Sequence, residues 1–241
     1  MNLTIDIGNT RTKIGLFNQN ELMLTFPVDH LGTKELTLLK DEYPSINAAI
    51  LSSTVNYSEE IDSLLGEMFD TYIKYTHQTP VPIKNTYESP ETLGLDRLAA
   101  AIGANTLYPQ QDILVVDAGT AITFEIINNN CYTGGCISPG LSMRFKALSQ
   151  FTGRLPLIDQ NGSLGIPGKN TQEAIRTGVV QGIRGEIESY ITLLNNKYPD
   201  LKTILTGGDA IFFAGLLKSS IFVNMNLTLI GLNRILEYNA H

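Results

Sequence analysis

Two short segments combine an aspartate, a glycine turn and hydroxyl side chains directly after an apolar run. The first runs from Asp6 to Lys13 and the second begins at Asp117. A glycine lets the backbone approach phosphate oxygens, hydroxyls donate hydrogen bonds to them, and Lys13 adds a compact positive charge. Asp6 is placed to bind the Mg²⁺ that accompanies ATP. This is the chemistry of a nucleotide phosphate site, although Asp, Asn and Gly also form ordinary hairpin turns. The residues of the first turn are Asp6, Ile7, Gly8, Asn9, Thr10, Arg11, Thr12 and Lys13.

The two segments align without a gap, which indicates an internal duplication. The aligned pairs are Asp6 with Asp117, Gly8 with Gly119, and Thr12 with Thr123. Each copy reads as a strand, a glycine turn and a second strand. We therefore expect an α/β fold of two similar lobes with a cleft between them, over residues 1–112 and 113–241.

A second constellation, Leu93-Gly94-Leu95-Asp96-Arg97, lies at the start of a predicted helix. Taken alone, an acid at this position is an ordinary N-terminal charge arrangement. In a phosphoryl-transfer site, however, the Asp96 carboxylate can accept the proton of an attacking hydroxyl. The Arg97 guanidinium can bind a substrate carboxylate or the transferring phosphoryl group.

Apolar periodicity predicts the elements that position these groups. Strands are expected over residues 3–7, 12–17, 48–51, 71–75 and 203–205, and from Leu114 onwards. Helices are expected around 61–68, 95–106 and 141–151, the first with Asn56 or Ser58 as its cap. A longer helix starts at the capping-box-like Asn170-Thr171-Gln172-Glu173 and ends before Pro199. The segment from Thr79 to Thr92 contains three prolines, so we expect a loop there.

Composition excludes several classes of protein. The net charge of −7 disfavours nucleic acid or an anionic membrane as the main partner. No apolar run is long enough to cross a bilayer, and the amino terminus lacks the basic region of a signal peptide, so we expect a cytoplasmic protein. Cys131 and Cys136 are expected to be a partly buried pair of ordinary thiols. The three histidines, His30, His77 and His241, lie in no motif, so we expect surface or loop residues without a catalytic role.

Three glycine turns at predicted strand ends, the third being Thr206-Gly207-Gly208, resemble the nucleotide loops of the actin/hexokinase/Hsp70-like ATPase superfamily. That resemblance implies two ribonuclease H-like lobes. The ordered set of motifs is similar to type III pantothenate kinase. It comprises Asp6-x-Gly8-Asn9-Thr10-x-x-Lys13, Leu93-Gly94-x-Asp96-Arg97, Asp117-x-Gly119-Thr120-Ala121-x-Thr123, Gly134-Gly135-x-Ile137-x-Pro139-Gly140, Leu155-Pro156, Gly168-Lys169-Asn170-Thr171 and Thr206-Gly207-Gly208.

This resemblance implies a cytoplasmic homodimer that phosphorylates the 4′-hydroxyl of pantothenate with ATP and Mg²⁺, and that needs a monovalent cation, K⁺ or NH₄⁺. It implies that Asp6–Lys13 and Thr120 contact ATP and that Asp117 binds the monovalent cation. It also implies that Asp96 accepts the proton. The pantothenate site would be lined by Tyr87, Gly94, Leu95, Asp96, Arg97 and Thr171. Two of these have simpler alternatives, since Thr171 is also suited to cap a helix and Tyr87 to pack in a loop.

Two departures from the family pattern bear on these roles. Glu125 stands where the family more often has aspartate, which alters the reach of a carboxylate near the predicted cation site. Thr152-Gly153-Arg154 replaces a more usual Thr-Ala-x-Leu run, at either the dimer interface or the substrate pocket.

Three other functions fit parts of the pattern. They are a kinase for another small hydroxylated metabolite, a non-catalytic ATP-binding regulator, and an actin-like filament protein. The intact set of Asp6, Lys13, Asp96, Asp117 and Thr120 favours an active kinase.

Overall fold

The computed structural model describes residues 1–29 and 31–240. His30 and His241 lie outside the described residues. The strands are β1 Asn2–Ile7, β2 Thr12–Asn18, β3 Glu21–Val28, β4 Ala48–Ser53, β5 Thr71–Lys74, β6 Lys84–Asn85, β7 Ile113–Ala118, β8 Ala121–Asn128, β9 Cys131–Pro139, β10 Lys202–Thr206 and β11 Phe222–Val223. The helices are α1 Thr33–Glu42, α2 Glu60–Met68, α3 Leu95–Leu107, α4 Leu141–Phe151, α5 Thr171–Lys197, α6 Ala210–Ala214 and α7 Leu227–Asn239.

The chain forms two compact units. Unit 1 comprises Met1–Gln110, Ile127–Gly134 and the C-terminal segment from Asn226, and unit 2 comprises Gln111–Ile126 and Gly135–Met225. This division differs from a split into residues 1–112 and 113–241, because α7 packs against α3 and belongs to unit 1.

Unit 1 is built on a sheet with the strand order β3-β2-β1-β4-β5. Strand β1 pairs antiparallel with β2 and parallel with β4, and β4 pairs parallel with β5. Successive side chains alternate between the two faces of a strand. The buried cluster on one face, with α1 and α2, includes Leu3, Ile5, Ile7, Leu36 and Leu65. Asp6 of β1 therefore points to the opposite face, where α3 and α7 pack.

Helices α3 and α7 cross closely because each presents a glycine to the other. A Cβ on Gly103 would lie 2.1 Å from the Leu227 carbonyl oxygen. A Cβ on Gly231 would lie 1.8 Å from the carbonyl oxygen of Ala99. Both distances are far inside van der Waals contact with backbone that cannot move aside cheaply. The crossing thus fixes α3, whose first turn contains Asp96, against the sheet.

Unit 2 repeats the topology of unit 1. Its strands lie in the order β11-β10-β7-β8-β9, with β10 parallel to both β7 and β11. Each strand in this order has a counterpart in the order β5-β4-β1-β2-β3 of unit 1. The repeated order confirms the duplication predicted from the paired glycine turns. The end of β8 and the start of β9, with the turn that connects them, belong to unit 1. There β6 pairs in parallel with Cys131 and Tyr132 of β9. The core of unit 2 packs α4 and α5 on residues such as Val116 and Phe124.

The ungapped alignment of the two turns was wrong beyond the glycine. Four residues separate β1 from β2, but only two separate β7 from β8. The Gly8 N–H reaches the Arg11 carbonyl at 3.1 Å, whereas the Gly119 N–H reaches the nearer Ala121 carbonyl at 3.1 Å. Thr12 therefore begins its strand, while Thr123 is the third residue of β8. The second turn is tighter, and Thr123 is not the structural counterpart of Thr12.

The four predicted helices are confirmed as α2, α3, α4 and α5. The predicted cap of α2, Asn56 or Ser58, was wrong, because the N-cap residue is Glu59 and makes no side-chain cap hydrogen bond. The Ser58 hydroxyl accepts the Glu60 N–H at 3.4 Å. The expectation of a loop over 79–92 was wrong in two places, because Lys84–Asn85 pairs with β9 and Pro90–Thr92 forms a 3₁₀ turn. The pairing of β6 is made with residues far along the chain, which local proline content does not reveal.

Several smaller expectations can be compared with the described residues. His77 lies in an exposed turn as predicted, with Nε2 2.9 Å from the Leu93 carbonyl oxygen. Cys131 and Cys136 are partly buried free thiols. Within the ranges 1–29 and 31–240, no helix is long and apolar enough to span a membrane.

Candidate active site

Four polar side chains form a row across the sheet of unit 1, at the carboxyl ends of its parallel strands. The register pairs Lys13 of β2 with Asp6 of β1, and Asp6 with Ser52 of β4. The Tyr75 N–H donates to the Leu51 carbonyl at 2.8 Å, which extends the β4–β5 ladder by one rung and sets Tyr75 beside Ser52. Paired residues share a face, so these four, the polar row, point towards α3 and α7. Strand spacing gives the row a span of roughly 14 Å.

The hydroxyl half of the polar row is buried. Ser52 is fully buried and Tyr75 is 3% exposed, and neither hydroxyl has a hydrogen-bond partner among the described residues. Burial, and secondly the negative charge of Asp96, raise the pKa of Tyr75. Its hydroxyl therefore stays protonated near neutral pH and can donate a hydrogen bond. Sequence reasoning assigned no role to Ser52 or Tyr75, although Ser52 directly follows the apolar strand predicted over residues 48–51.

The turn after β1 exposes its polar groups around a small cavity. Asn9, Thr10 and Arg11 are exposed. The turn encloses one side of a cavity of about 340 Å³, whose other side includes Asn56 and Ser58 of the segment before α2. Thr12 is buried at the start of β2. Apolar Ile7, Leu31 and Ile61 also line the cavity, so it lies on the side of the sheet that α1 and α2 cover.

Asp96 lies in the first turn of α3, where the helix dipole favours a carboxylate. Its Oδ1 accepts a hydrogen bond from the Arg97 N–H at 2.9 Å. A Cβ on Gly94, the N-cap residue, would lie 2.6 Å from that same oxygen. The carboxylate thus occupies the space that a side chain at Gly94 would need. The side chain of Asp96 is half-buried, so it remains accessible to a substrate.

Arg97 is held in place by two tyrosines. Its side chain is buried, and an Nη atom donates to the Tyr132 hydroxyl at 3.3 Å. The guanidinium carbon lies 6.0 Å from the centre of the Tyr87 ring, at cation–π distance. The Tyr87 and Tyr132 rings are 6.1 Å apart at a tilt of 51°. The structure therefore brings the predicted residues Tyr87 and Arg97 together.

Tyr132 was missed by sequence reasoning. It is fully buried in β9, and its carbonyl accepts the Thr86 N–H at 3.0 Å, which places Tyr87 next to it. The contact depends on the pairing of β6 with β9. The sequence offers only an aromatic residue in an apolar strand, a pattern more typical of core packing.

In unit 2, the second aspartate lies against two glycines. Asp117 pairs with Thr206 of β10, just as Asp6 pairs with Ser52 of β4. A Cβ on Gly207, which has a φ of +93°, would lie 2.3 Å from Asp117 Oδ1, and one on Gly119 would lie 3.3 Å from it. These glycines therefore let the backbone pack closely against the Asp117 carboxylate. Carboxylate oxygens are ligands that hard cations prefer.

Thr120 and the start of α4 complete this turn. The Gly140 N–H donates to the Thr120 carbonyl at 3.2 Å, and a Cβ on Gly140 would lie 2.3 Å from the Gly119 and Thr120 carbonyl oxygens. The Thr120 side chain is exposed. The glycine-rich segment before α4 therefore lets the backbone approach the second turn. Across residues 1–29 and 31–240, no cluster of three or more His, Cys, Asp or Glu side chains forms a ready-made metal site.

Thr171 does not cap α5. The cap is Asn170, whose side-chain oxygen accepts the Glu173 N–H at 2.9 Å. The Glu173 carboxylate in turn accepts the Lys169 N–H at 2.7 Å and the Ser163 hydroxyl at 2.8 Å. Thr171 is the first residue of the helix and is exposed, so its hydroxyl is available to a ligand.

The two departures from the family pattern lie in different surroundings. Glu125 is fully buried in β8. Thr152 follows α4 and donates its hydroxyl to the Leu148 carbonyl at 2.6 Å, while Gly153 and Arg154 are exposed. Gly153 and Arg154 therefore do not contribute to the core of unit 2.

The predicted site residues fall into one group in each unit. Unit 1 contains the turn Asp6–Lys13, Tyr87 and the segment Gly94–Arg97. Unit 2 contains Asp117, Thr120 and Thr171.

Solved structures with the same overall fold include a hexokinase and a dehydratase activator. The ROK hexokinase of Thermus thermophilus superposes with a TM-score of 0.55 and 12% identity, over 99% of both chains. A Clostridium difficile activator of 2-hydroxyisocaproyl-CoA dehydratase, solved with ADPNP, gives a TM-score of 0.53 at 13% identity, over 98% of this chain and 93% of that chain. The duplicated sheets and paired glycine turns thus define a two-unit α/β fold, which these solved structures share.

Sequence comparison identifies the family within this class. The type III pantothenate kinase family matches residues 2–193. A type III pantothenate kinase of Phocaeicola vulgatus is 45% identical over 99% of both chains, and one of Porphyromonas gingivalis is 42% identical over 99% of both. The chain belongs to the type III pantothenate kinase family.

Proposed function

We propose that this chain transfers the γ-phosphoryl group of ATP to the 4′-hydroxyl of pantothenate. The product is 4′-phosphopantothenate, and the reaction is the first step of coenzyme A biosynthesis. Family membership supports the proposal. The single structural observation that carries it is the position of Asp96, a half-buried carboxylate at the start of α3, on the side of the sheet that bears Lys13 and Asp6.

The phosphates of ATP are bound in this proposal by the turn Asp6–Lys13 and by Thr120. The turn offers exposed Asn9, Thr10 and Arg11, and Lys13 lies one strand away from Asp6. A lysine ammonium and hydroxyl donors are suited to phosphate oxygens, on which charge is spread during transfer. These residues therefore supply orientation and electrostatic stabilisation.

Pantothenate is bound by Tyr87 and the segment Gly94–Arg97, with Thr171 as a further contact. Pantothenate carries a carboxylate, and an arginine fork binds a carboxylate through two parallel hydrogen bonds. Arg97 is oriented by Tyr132 and Tyr87, so little side-chain entropy is lost when it binds. Gly94 leaves room for the Asp96 carboxylate, which is half-buried and faces the 4′-hydroxyl in this proposal.

Asp96 accepts the proton of the 4′-hydroxyl as the reaction proceeds. The hydroxyl oxygen forms a bond to the γ-phosphorus while the bond from that phosphorus to the β–γ bridging oxygen breaks, and ADP leaves. Phosphoryl transfer requires little covalent help from protein groups, so positioning and charge stabilisation supply most of the rate. The helix N-terminus favours a carboxylate at this position.

Two cations accompany this chemistry. Mg²⁺ carried with ATP neutralises phosphate charge, and Asp6 is the carboxylate that would bind it. We assign K⁺ or NH₄⁺ to Asp117, whose half-buried carboxylate lies at the second glycine turn against Gly119 and Gly207. A carboxylate beside backbone carbonyls is an oxygen donor set that suits a hard cation.

We further propose a cytoplasmic homodimer, as the family resemblance implies. We expect neither nucleic acid nor a membrane as a partner, because the net charge of −7 disfavours both.

The identity of the product tests this function. The purified protein is incubated with ATP, Mg²⁺, K⁺ and pantothenate, and the products are separated by mass spectrometry. We expect a singly phosphorylated pantothenate. We expect no such product from 4′-deoxypantothenate, which lacks the accepting hydroxyl, or from the Asp96→Asn variant at comparable times. A phosphorylated product from the deoxy compound would contradict the proposed site of transfer.

A further inference from the structure

Two hydroxyls buried in the sheet of unit 1 have no structural explanation. Ser52 Oγ and Tyr75 Oη each lack a hydrogen-bond partner among the described residues. A buried polar group without a partner costs free energy. Alanine and phenylalanine would fill nearly the same space without that cost, so the hydroxyls are expected to meet a group involved in function.

The position of Tyr75 indicates which group that is. Tyr75 follows β5 and continues the register of Ser52, so its side chain points to the face where α3 packs. The next turn of the chain is tied to α3, since His77 Nε2 lies 2.9 Å from the carbonyl of Leu93, directly before Gly94. The Asp96 carboxylate at the start of α3 is close enough to act electrostatically on the Tyr75 hydroxyl.

We infer that Tyr75 is a positioning residue for the proton acceptor, its hydroxyl donating a hydrogen bond to the Asp96 carboxylate in the reacting complex. The inference rests on the proposed function of Asp96. One carboxylate oxygen is already directed by the Arg97 N–H at 2.9 Å. A second donor from the sheet fixes the carboxylate plane, so that a lone pair faces the 4′-hydroxyl. Ser52 separates Tyr75 from Asp6, so the polar row joins the phosphate turn to the base.

The test is the Tyr75→Phe variant, which keeps the ring and removes the hydroxyl. We expect kcat to fall about tenfold or more, with KM for ATP and pantothenate within about twofold, because substrate contacts are retained. A hydrogen bond donated to a carboxylate favours its ionised form. Loss of the donor should therefore move the acid limb of the kcat–pH profile to higher pH. The melting temperature should not fall, since the lost hydroxyl has no partner in the folded protein.

Tyr72→Phe is the matched control. Tyr72 lies in β5, the strand that Tyr75 follows, but it faces the opposite side of the sheet, where its hydroxyl donates to Asp62. This variant should change the melting temperature more than the kcat–pH profile. Charged groups on the elements around Tyr75, which both variants leave intact, are Lys13, Asp6, Asp96, Arg97, Arg234, Glu237 and His77.

The outcomes separate this inference from the proposed function. A wild-type protein without pantothenate-dependent ADP release contradicts the function itself. An active wild type with a Tyr75→Phe variant of unchanged kcat and pH profile contradicts only the role of Tyr75. A lower kcat without displacement of the acid limb, or a melting temperature lowered by several degrees, would show a packing role and also overturn the inference.

Discussion

Asp96 Oδ1 lies only 2.6 Å from the position that a Cβ would take on Gly94. A glycine is therefore needed here because a side chain would collide with the carboxylate. The backbone conformation does not require it, because the φ and ψ of Gly94, −53° and 128°, are angles that other residues adopt readily. A methyl group there would push the carboxylate away or rotate it out of its position. The glycine in the sequence is thus linked to the position of the proposed proton acceptor.

Gly94→Ala should lower kcat by about tenfold or more with little loss of stability. The added methyl group displaces a half-buried, flexible carboxylate, which costs little folding free energy but misplaces the proton acceptor. Steady-state kinetics and thermal unfolding measure the two effects separately. Gly32→Ala is the control, since Gly32 is also an N-cap residue and a Cβ there would meet only the mobile end of Glu35. Equal kinetic losses in both variants would refute the specific role of Gly94.

Arg97→Lys should raise KM for pantothenate about tenfold or more and leave KM for ATP within about twofold. Lysine cannot reproduce the planar fork that contacts Tyr132 and faces Tyr87. Initial rates at varied pantothenate concentration give the result. Arg234→Lys serves as the control, because Arg234 is partly exposed and 3.9 Å from Glu237, and surface pairs contribute little. An unchanged KM in the Arg97 variant would remove this residue from the pantothenate site.

Gly231→Ala should destabilise the protein by at least about 2 kcal/mol. The methyl group would enter the backbone of α3 at Ala99, and the helices would have to separate. Gly66→Ala, on the exposed side of α2 with no atom within 4 Å of its Cβ position, should be neutral or stabilising by up to about 1 kcal/mol. Urea unfolding followed by circular dichroism compares them. Equal stability of the two variants would show that α3 and α7 do not depend on the glycine crossing.

Asp117→Asn should abolish stimulation by K⁺ or NH₄⁺. The amide keeps the shape of the carboxylate but loses the charge that attracts the cation. ADP release is measured against KCl concentration at constant ionic strength. Asp200→Asn removes a charge from an exposed turn of the same unit and should leave the stimulation intact. If the Asp117 variant responds to KCl as the wild type does, the cation is bound elsewhere.

The sequence predicted the elements that carry a strong local signal. The strand, glycine turn and strand around Asp6 appear as expected, and the apolar stripe of α3 predicts a helix that begins at Leu95. The duplication was predictable because both copies keep an aspartate and glycine after an apolar strand. The length of the second turn was not predictable, since Thr120 and Ala121 resemble the first turn in composition but belong to a shorter hairpin.

The residues that sequence reasoning missed depend on tertiary pairing. Tyr132 meets Arg97 only because the two residues of β6 pair with β9. Ser52 and Tyr75 join Asp6 only through the register of three parallel strands. Each of the three, read locally, is an ordinary strand residue. Helix α7 was also unpredicted, and its importance lies in a glycine contact with α3 that no local pattern records.

Pantothenate-dependent release of ADP tests the central claim most directly. The protein is assayed with ATP and Mg²⁺, with and without pantothenate, in buffers containing K⁺ or NH₄⁺, and the Asp96→Asn variant is run in parallel. We expect ADP release that requires pantothenate and that falls by a factor of about 10² or more in the variant, with unchanged folding. The absence of pantothenate-dependent ADP under every condition, or a variant as active as the wild type, would contradict the account.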